Sequence, residues 1–252
     1  MQADPAGFTI VEKAVGLDSF TASPSVTVFE LFIDWLPIDA NLVFLYDYMP
    51  RLFIISGCNG SGKTTASYAV LPEMLECSEF VNSDEFAKSL SPFSPEKASV
   101  GASRYMLLKM RHLLERKEDF AIETTLATRS MLKMIKDAQK AGYHVTILYL
   151  WLNSPDLAVA RVKARVTAGG HNIKEETIRR RYRVGLHYLF RDFMPLSDRW
   201  ILCDNSEDRL GIVAESSDAG ITVRNPETFG KIKSMNYEYE KVLKEEEKKR
   251  ND

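Results

Sequence analysis

Residues 57–64 read Gly-Cys-Asn-Gly-Ser-Gly-Lys-Thr, a complete G-x-x-x-x-G-K-[ST] pattern. The chemistry open to such a run is phosphate binding. Gly57, Gly60 and Gly62 let the backbone turn its N–H groups inward around an anion, with Cys58, Asn59 and Ser61 between them. Lys63 is placed for the β- and γ-phosphates of ATP, and the Thr64 hydroxyl for Mg²⁺. Thr65 follows inside a helix whose N-terminus adds a partial positive charge. The redox alternative for Cys58 is weaker than the plain one, a loop position where many side chains fit.

Phosphoryl transfer also needs a group that accepts or orients the acceptor's proton, and cations that absorb charge on the moving phosphoryl. Two strand ends offer carboxylates. Phe80-Val81-Asn82-Ser83-Asp84 runs from apolar to polar, and sheet ends facing a phosphate loop are where α/β sites form. Asp84 can accept a hydroxyl proton, hold Mg²⁺ through water, or simply cap a helix beginning near Glu85. Phe120-Ala121-Ile122-Glu123-Thr124-Thr125 is the second such end. It lacks the apolar run closed by Asp that marks a magnesium-holding second motif. Glu123 is therefore expected on an acceptor hydroxyl, or, with Thr125, in turn capping.

The cations are concentrated downstream. Arg161, Lys163, Arg165, Lys174, Arg179, Arg180, Arg181 and Arg183 share a segment whose acids are Glu175 and Glu176. Gly169-Gly170-His171 interrupts it. Two arginine-bearing helices around a flexible turn would form a lid able to close on ATP, and the guanidinium fork suits phosphate oxygens. A solvated helix face is the plainer reading, and for His171 alone a structural role is the plainer one.

The elements that must position these groups alternate after Met49, as in an α/β sheet with crossover helices. Strands are expected at Leu52–Ser56, Glu79–Asn82, Phe120–Glu123, His144–Leu152 and Trp200–Cys203, with a short one at Ile221–Val223. Helices are expected from Lys63 to about Cys77, over Ala98–Glu115 and Thr128–Ala141, and from Pro155 to Val166 behind a Ser154 cap. After Cys203 a polar turn region is expected. The chain divides into a poorly patterned extension over 1–48, a kinase-type domain over 49–225 and a charged C-terminal helix or tail over 226–252.

Composition bounds the rest. The 252 residues are 45% hydrophobic, enough for one substantial core. A net charge of -2 leaves no whole-chain basic field for nucleic acid. Cys58, Cys77 and Cys203 form neither a metal spacing nor a disulfide framework, which fits a reducing cytoplasm. No signal peptide is evident. The apolar stretch Val26–Leu45 is broken by Glu30, Asp34, Pro37, Asp39 and Asn41, against a spanning helix.

Taken in order, the phosphate loop, Val-Asn-Ser-Asp-Glu-Phe, Ile-Glu-Thr-Thr-Leu, and Arg-Val-Thr-Ala-Gly-Gly-His followed by Ile-Arg-Arg-Arg-Tyr resemble the zeta-toxin family of P-loop kinases, from about Met49 to Ser206. The resemblance implies a P-loop NTPase fold, a mostly parallel sheet flanked by helices in an adenylate-kinase-like core with an arginine-rich lid. It implies ATP and Mg²⁺ as cofactors. Well-known members phosphorylate a sugar hydroxyl of UDP-N-acetylglucosamine, and an antitoxin protein is a possible partner. Position by position, Asp84 matches the family's catalytic base, Lys63 its loop lysine, and Glu123 with Thr125 an acid-x-threonine pair on the sugar nucleotide. Arg165 and Arg181 are the matching phosphate contacts. The rival readings are a nucleoside or metabolite kinase, a P-loop ATPase that switches a partner, and a nucleic-acid kinase.

Overall fold

The computed structural model describes residues 49–251 except 73–74, 92–94, 171 and 208. The extension over 1–48, including Val26–Leu45, and His171 lie outside the described residues.

Seven strands form one sheet: β1 (Arg51–Gly57), β2 (Glu79–Val81), β3 (Phe120–Thr124), β4 (His144–Trp151), β5 (Arg199–Asp204), β6 (Gly211–Ser217) and β7 (Gly220–Val223). Their order is β2-β3-β1-β4-β5-β6-β7. The first five are parallel, and β6 and β7 add antiparallel pairs. The helices are α1 (Lys63–Val70), α2 (Ser83–Leu90), α3 (Pro95–Arg116), α4 (Met131–Lys140), α5 (Pro155–Thr167), α6 (Glu175–Tyr188), continued by a π turn at Leu189–Phe193, and α7 (Pro226–Asn251). This is a P-loop kinase fold, a mostly parallel sheet covered by helices on both faces.

Alternation along the strands builds the two faces. Leu52 and Ile54 of β1, Phe120 and Ile122 of β3, and Val145 and Ile147 of β4 pack with Met110, Leu113, Ile135 and Leu186 from α3, α4 and α6. Phe53, Ile55, Leu148, Leu150, Ile201 and Cys203 face the other way, onto Ala66 and Leu71 at α1. A smaller cluster of Cys58, Leu152, Ala158, Val162, Ile178 and Tyr182 joins α5 and α6 beneath the phosphate loop.

The structure differs from expectation in three places. Helix α1 stops at Val70 instead of continuing to Cys77. Pro72 follows within two residues and has no N–H to continue the ladder. Strand β6 occupies what reads as a polar turn region. Its polar residues are satisfied inside the sheet: Glu215 is buried against Arg224 at 3.0 Å and Arg199 at 3.8 Å. Ser216 Oγ accepts from the Trp200 N–H. Finally, Asn82 ends no strand. It is the cap of α2, and its Oδ1 accepts from Asp84 N at 2.9 Å and Glu85 N at 3.2 Å. Asp84 therefore sits within the first helical turn and does not cap it.

Candidate active site

The site assembles at the C-terminal end of the parallel strands. Strand β1 delivers the phosphate loop and its neighbour β3 delivers Glu123. Beyond β3, β2 leads into Asn82 and α2. On the far side, β4 leads through Ser154 into α5, with the Ser154 hydroxyl accepting from Leu157 N. A cleft of about 330 Å³ lies between them. Asn59, Gly60, Gly62, Lys63, Thr64 and Thr65 of the loop line it, with Asp84, Glu85, Ala87 and Lys88 of α2, Glu123 of β3, and Arg161 and Arg165 of α5.

The loop is held from below as well as from the sides. Gly62 has φ of 85°, a left-handed conformation, and a Cβ there would lie 2.5 Å from Asn205 Nδ2. That amide donates to the Ser61 carbonyl at 2.8 Å. Asn205 is itself fixed: its N–H bonds to the Trp151 carbonyl, and its own carbonyl accepts from Arg161 at 2.7 Å. The second Arg161 nitrogen reaches the Ser206 carbonyl at 3.0 Å. Arg161 thus ties α5 to the loop after β5, and Asn205 ties that loop to the phosphate loop. The basic pattern includes Arg161, but nothing local in the sequence marks Asn205, whose partner is 144 residues away.

Lys63 is buried, with its Nζ donating to the Cys58 carbonyl at 2.8 Å and lying 3.8 Å from Glu123 Oε1. Burial pulls its pKa below the ordinary lysine value, and Glu123 opposes that shift. Burial likewise pushes Glu123 above the usual carboxylate range, offset by Lys63 and by the bond from Thr64. Glu123 Oε2 accepts from the Thr64 hydroxyl at 2.8 Å and from Asn82 Nδ2 at 2.7 Å. The expectation for Glu123 was an acceptor hydroxyl; the structure sets it against the loop hydroxyl. Thr125 does not line the cleft. Its carbonyl packs under Gly185 of α6, where a Cβ would lie only 2.5 Å from the oxygen.

The residues here include hard oxygen donors of the kind Mg²⁺ takes. The Thr64 hydroxyl and the Glu123 carboxylate meet at one point. No group of three or more acidic, His or Cys side chains forms a metal cage among the described residues. A magnesium ion commonly uses one or two carboxylates and completes its shell with substrate phosphates and water, so these residues fit it.

Asp84 is exposed at the cleft, near enough to Lys63 to act on its charge. Arg181 of α6 donates to Asn59 Oδ1 at 3.1 Å. Partial burial lowers its pKa and the nearby Asp84 opposes this. Arg165 lines the cleft from the last turn of α5. Other cations of the segment are engaged elsewhere: Arg179 with Asp156 and Glu175, and Lys163 with Glu175. Helix α6 is also no free flap, since Ile178, Tyr182, Gly185 and Leu186 are buried and the Tyr182 hydroxyl bonds the Leu152 carbonyl at 2.6 Å. Cys58 is buried, and burial raises its thiol to about 11.

Comparison with known proteins agrees with the fold. The sequence profile of the family described as "Zeta toxin" matches residues 44–187. A Haemophilus influenzae protein, described only as uncharacterized, is 31% identical over 126 residues, which is 50% of this chain and 88% of that protein. Among solved structures, AvrRxo1-ORF1:AvrRxo1-ORF2 with sulphate ions aligns with a TM-score of 0.60 at 17% identity, over 83% of this chain and 68% of that one. The same pair with ATP gives 0.53 at 16%, over 83% and 68%. A chain of the PezAT chromosomal toxin–antitoxin system of Streptococcus pneumoniae gives 0.56 at 18%, over 91% of this chain and 98% of that one.

Proposed function

This chain belongs to the zeta toxin family, and on that premise we propose that it is an ATP-dependent phosphotransferase. It moves the γ-phosphate to a hydroxyl of a small molecule, a UDP-sugar such as UDP-N-acetylglucosamine. The observation that carries the reading is the meeting of Lys63, Thr64, Glu123 and Asp84 around one cleft at the sheet's C-terminal edge. ATP in the neighbouring AvrRxo1-ORF1:-ORF2 complex supports the nucleotide.

In this reading the loop amides and Lys63 hold the β- and γ-phosphates. Lys63 leaves the Cys58 carbonyl to do so. Thr64 and Glu123 would hold Mg²⁺, which would supply charge neutralisation on the nucleotide phosphates. Asp84 takes the proton of the acceptor hydroxyl as that oxygen bonds to the γ-phosphorus. The bond to the β-phosphate oxygen breaks and ADP leaves. Arg165 and Arg181 face the charge spread over the transferring oxygens. A restraining protein partner belongs to the same proposal, since the Streptococcus pneumoniae neighbour comes from a toxin–antitoxin system.

The test is transfer from γ-labelled ATP to UDP-sugars, nucleosides and short oligonucleotides. Label in a UDP-sugar is the expected result. Label in a nucleoside would keep the phosphotransferase and change the acceptor. Label in orthophosphate alone, with every acceptor present, would favour an ATPase.

A further inference from the structure

One side chain at this site does two tasks that no local motif announces. Asn82 sits between β2 and α2, and its amide is used at both ends. The Oδ1 accepts the Asp84 and Glu85 N–H groups at 2.9 and 3.2 Å. The Nδ2 donates to Glu123 Oε2 at 2.7 Å, across 41 residues of sequence. That oxygen is the one that accepts the Thr64 hydroxyl at 2.8 Å. Two of the cleft's three carboxylates are therefore set by a single planar group: Asp84 through the start of its helix, and Glu123 through a direct bond.

We infer that Asn82 is a positioning residue that fixes Glu123 against Thr64 and holds the helix start bearing Asp84 in register with it. The inference rests on the phosphotransferase reading, because it assigns Glu123 and Thr64 to the Mg·ATP end of the cleft. Its physical basis is that Glu123 is a mostly buried carboxylate on a strand end, with a side chain long enough to swing. Buried carboxylate oxygens must find donors. Thr64 supplies one hydroxyl proton, and a hydroxyl that rotates toward a cation stops donating along its old direction. Asn82 is the donor that stays. An Asn at this cap is fixed by its own two accepted bonds, so its Nδ2 has little freedom to follow a displaced Glu123.

The substitution that separates the two tasks is Asn82→Ser. Serine is as good a helix cap as asparagine, but its hydroxyl is too short to reach Glu123 from this position. Melting should fall by about 2–6 °C, because the cap is retained but a mostly buried carboxylate loses one donor. ATP affinity without Mg²⁺ should stay within about twofold. The gain in ATP affinity on adding Mg²⁺ should fall by about tenfold, the expected worth of one charge-assisted hydrogen bond. In a cycle with Glu123→Gln the double variant should lose no more of this Mg²⁺-dependent gain than Glu123→Gln alone. An unchanged Mg²⁺ gain in Asn82→Ser, or additive losses in the cycle, would overturn the assignment. So would an equal loss of affinity with and without Mg²⁺, which would mean that the variant disturbs the cleft as a whole and not Glu123 against Thr64. Failure of the unmodified chain to bind ATP at all would instead remove the phosphotransferase reading.

Discussion

At the scale of single residues, chemistry at this site is set by burial. Lys63, proposed above for the phosphates, is a buried cation held by the Cys58 carbonyl and Glu123. Lys63→Ala should lower ATP turnover by about 10²-fold or more, the usual worth of one electrostatic contact to the developing charge. A variant that stays folded and keeps a tenth of the activity would remove Lys63 from the mechanism. Asp84 is cleanly testable because the cap of its helix is Asn82. Asp84→Asn should leave melting and ATP affinity near wild type while transfer to the acceptor falls by about 10²-fold or more, as for loss of a general base. Full transfer in that variant would pass the role to another group. A strong loss of Mg·ATP affinity alone would mean that Asp84 holds the ion. The thiols give a pH test. Burial raises Cys58 and Cys77 to about 11 and raises Cys203 as well. Each thiolate is therefore scarce below that range and grows as pH rises toward it. At pH 8 about one Cys58 thiol in a thousand is ionised. Native protein should react with an aromatic disulfide reagent far more slowly than denatured protein at pH 8, and faster as pH rises. Rapid labelling of one native thiol would contradict its burial. The loop residues and Asp84 were legible because each belongs to a contiguous pattern. Asn82 and Asn205 were not, because their meaning lies in partners 41 and 144 residues distant.

At the scale of elements, the fold reads well where an apolar run meets turn chemistry and poorly where polar residues are satisfied by sheet partners. The five parallel strands were legible to within a residue or two; apart from the short edge strand β2, they are mostly buried and carry nearly continuous apolar runs. Strand β6 was hidden by Glu215, Ser216 and Ser217, since a buried acid reads as loop until its arginine partners are known. The expectation for α1, from Lys63 to about Cys77, ran past Pro72, and proline overrode it. The arginine segment forms the two helices expected of it, but α6 is packed down and only part of the basic set faces the cleft. Its contact with the loop after β3 is tight at Gly185. A Cβ there meets the Thr125 backbone oxygen at 2.5 Å, and backbone cannot rotate out of the way. Gly185→Ala gains helix propensity of about 1 kcal/mol yet should be destabilising by about 1–3 kcal/mol from overpacking. It should also shift Arg181, which lies one helical turn earlier and reaches Asn59. Urea unfolding and ATP affinity measured on the same variant check both effects. Unchanged or increased stability would show that α6 is free to move off the sheet.

At the scale of the molecule, strand order turns scattered residues into a site. With β3 beside β1, Glu123 comes to the loop hydroxyl, and with β2 beside β3, Asn82 comes to Glu123. With β5 beyond β4, Asn205 reaches under Ser61. A sequence shows the strands but not their lateral order, which is why the parts of the site were legible before their contacts were. The same scale decides what the ends of the chain do. Helix α7 begins as a structural element: Ile232 is fully buried, and Phe229 and Met235 pack against the main core. Further along, Glu240 lies 3.6 Å from the buried His187 of α6. Beyond Leu243 the sequence is Lys-Glu-Glu-Glu-Lys-Lys-Arg-Asn-Asp. Two truncations should therefore differ sharply. Removing 244–252 should change unfolding free energy by less than about 0.5 kcal/mol, the range for surface changes. Removing 226–252 strips Ile232 and two partly buried side chains from the core. At about 1.5–3 kcal/mol for each fully buried large apolar side chain, that loss is a sizeable part of the 5–15 kcal/mol typical of a domain. The shorter chain should unfold at much lower urea, or fail to accumulate in soluble form. Equal stability of the two truncations would mean that α7 rests on the core without supporting it, and that the domain is complete at Asn225.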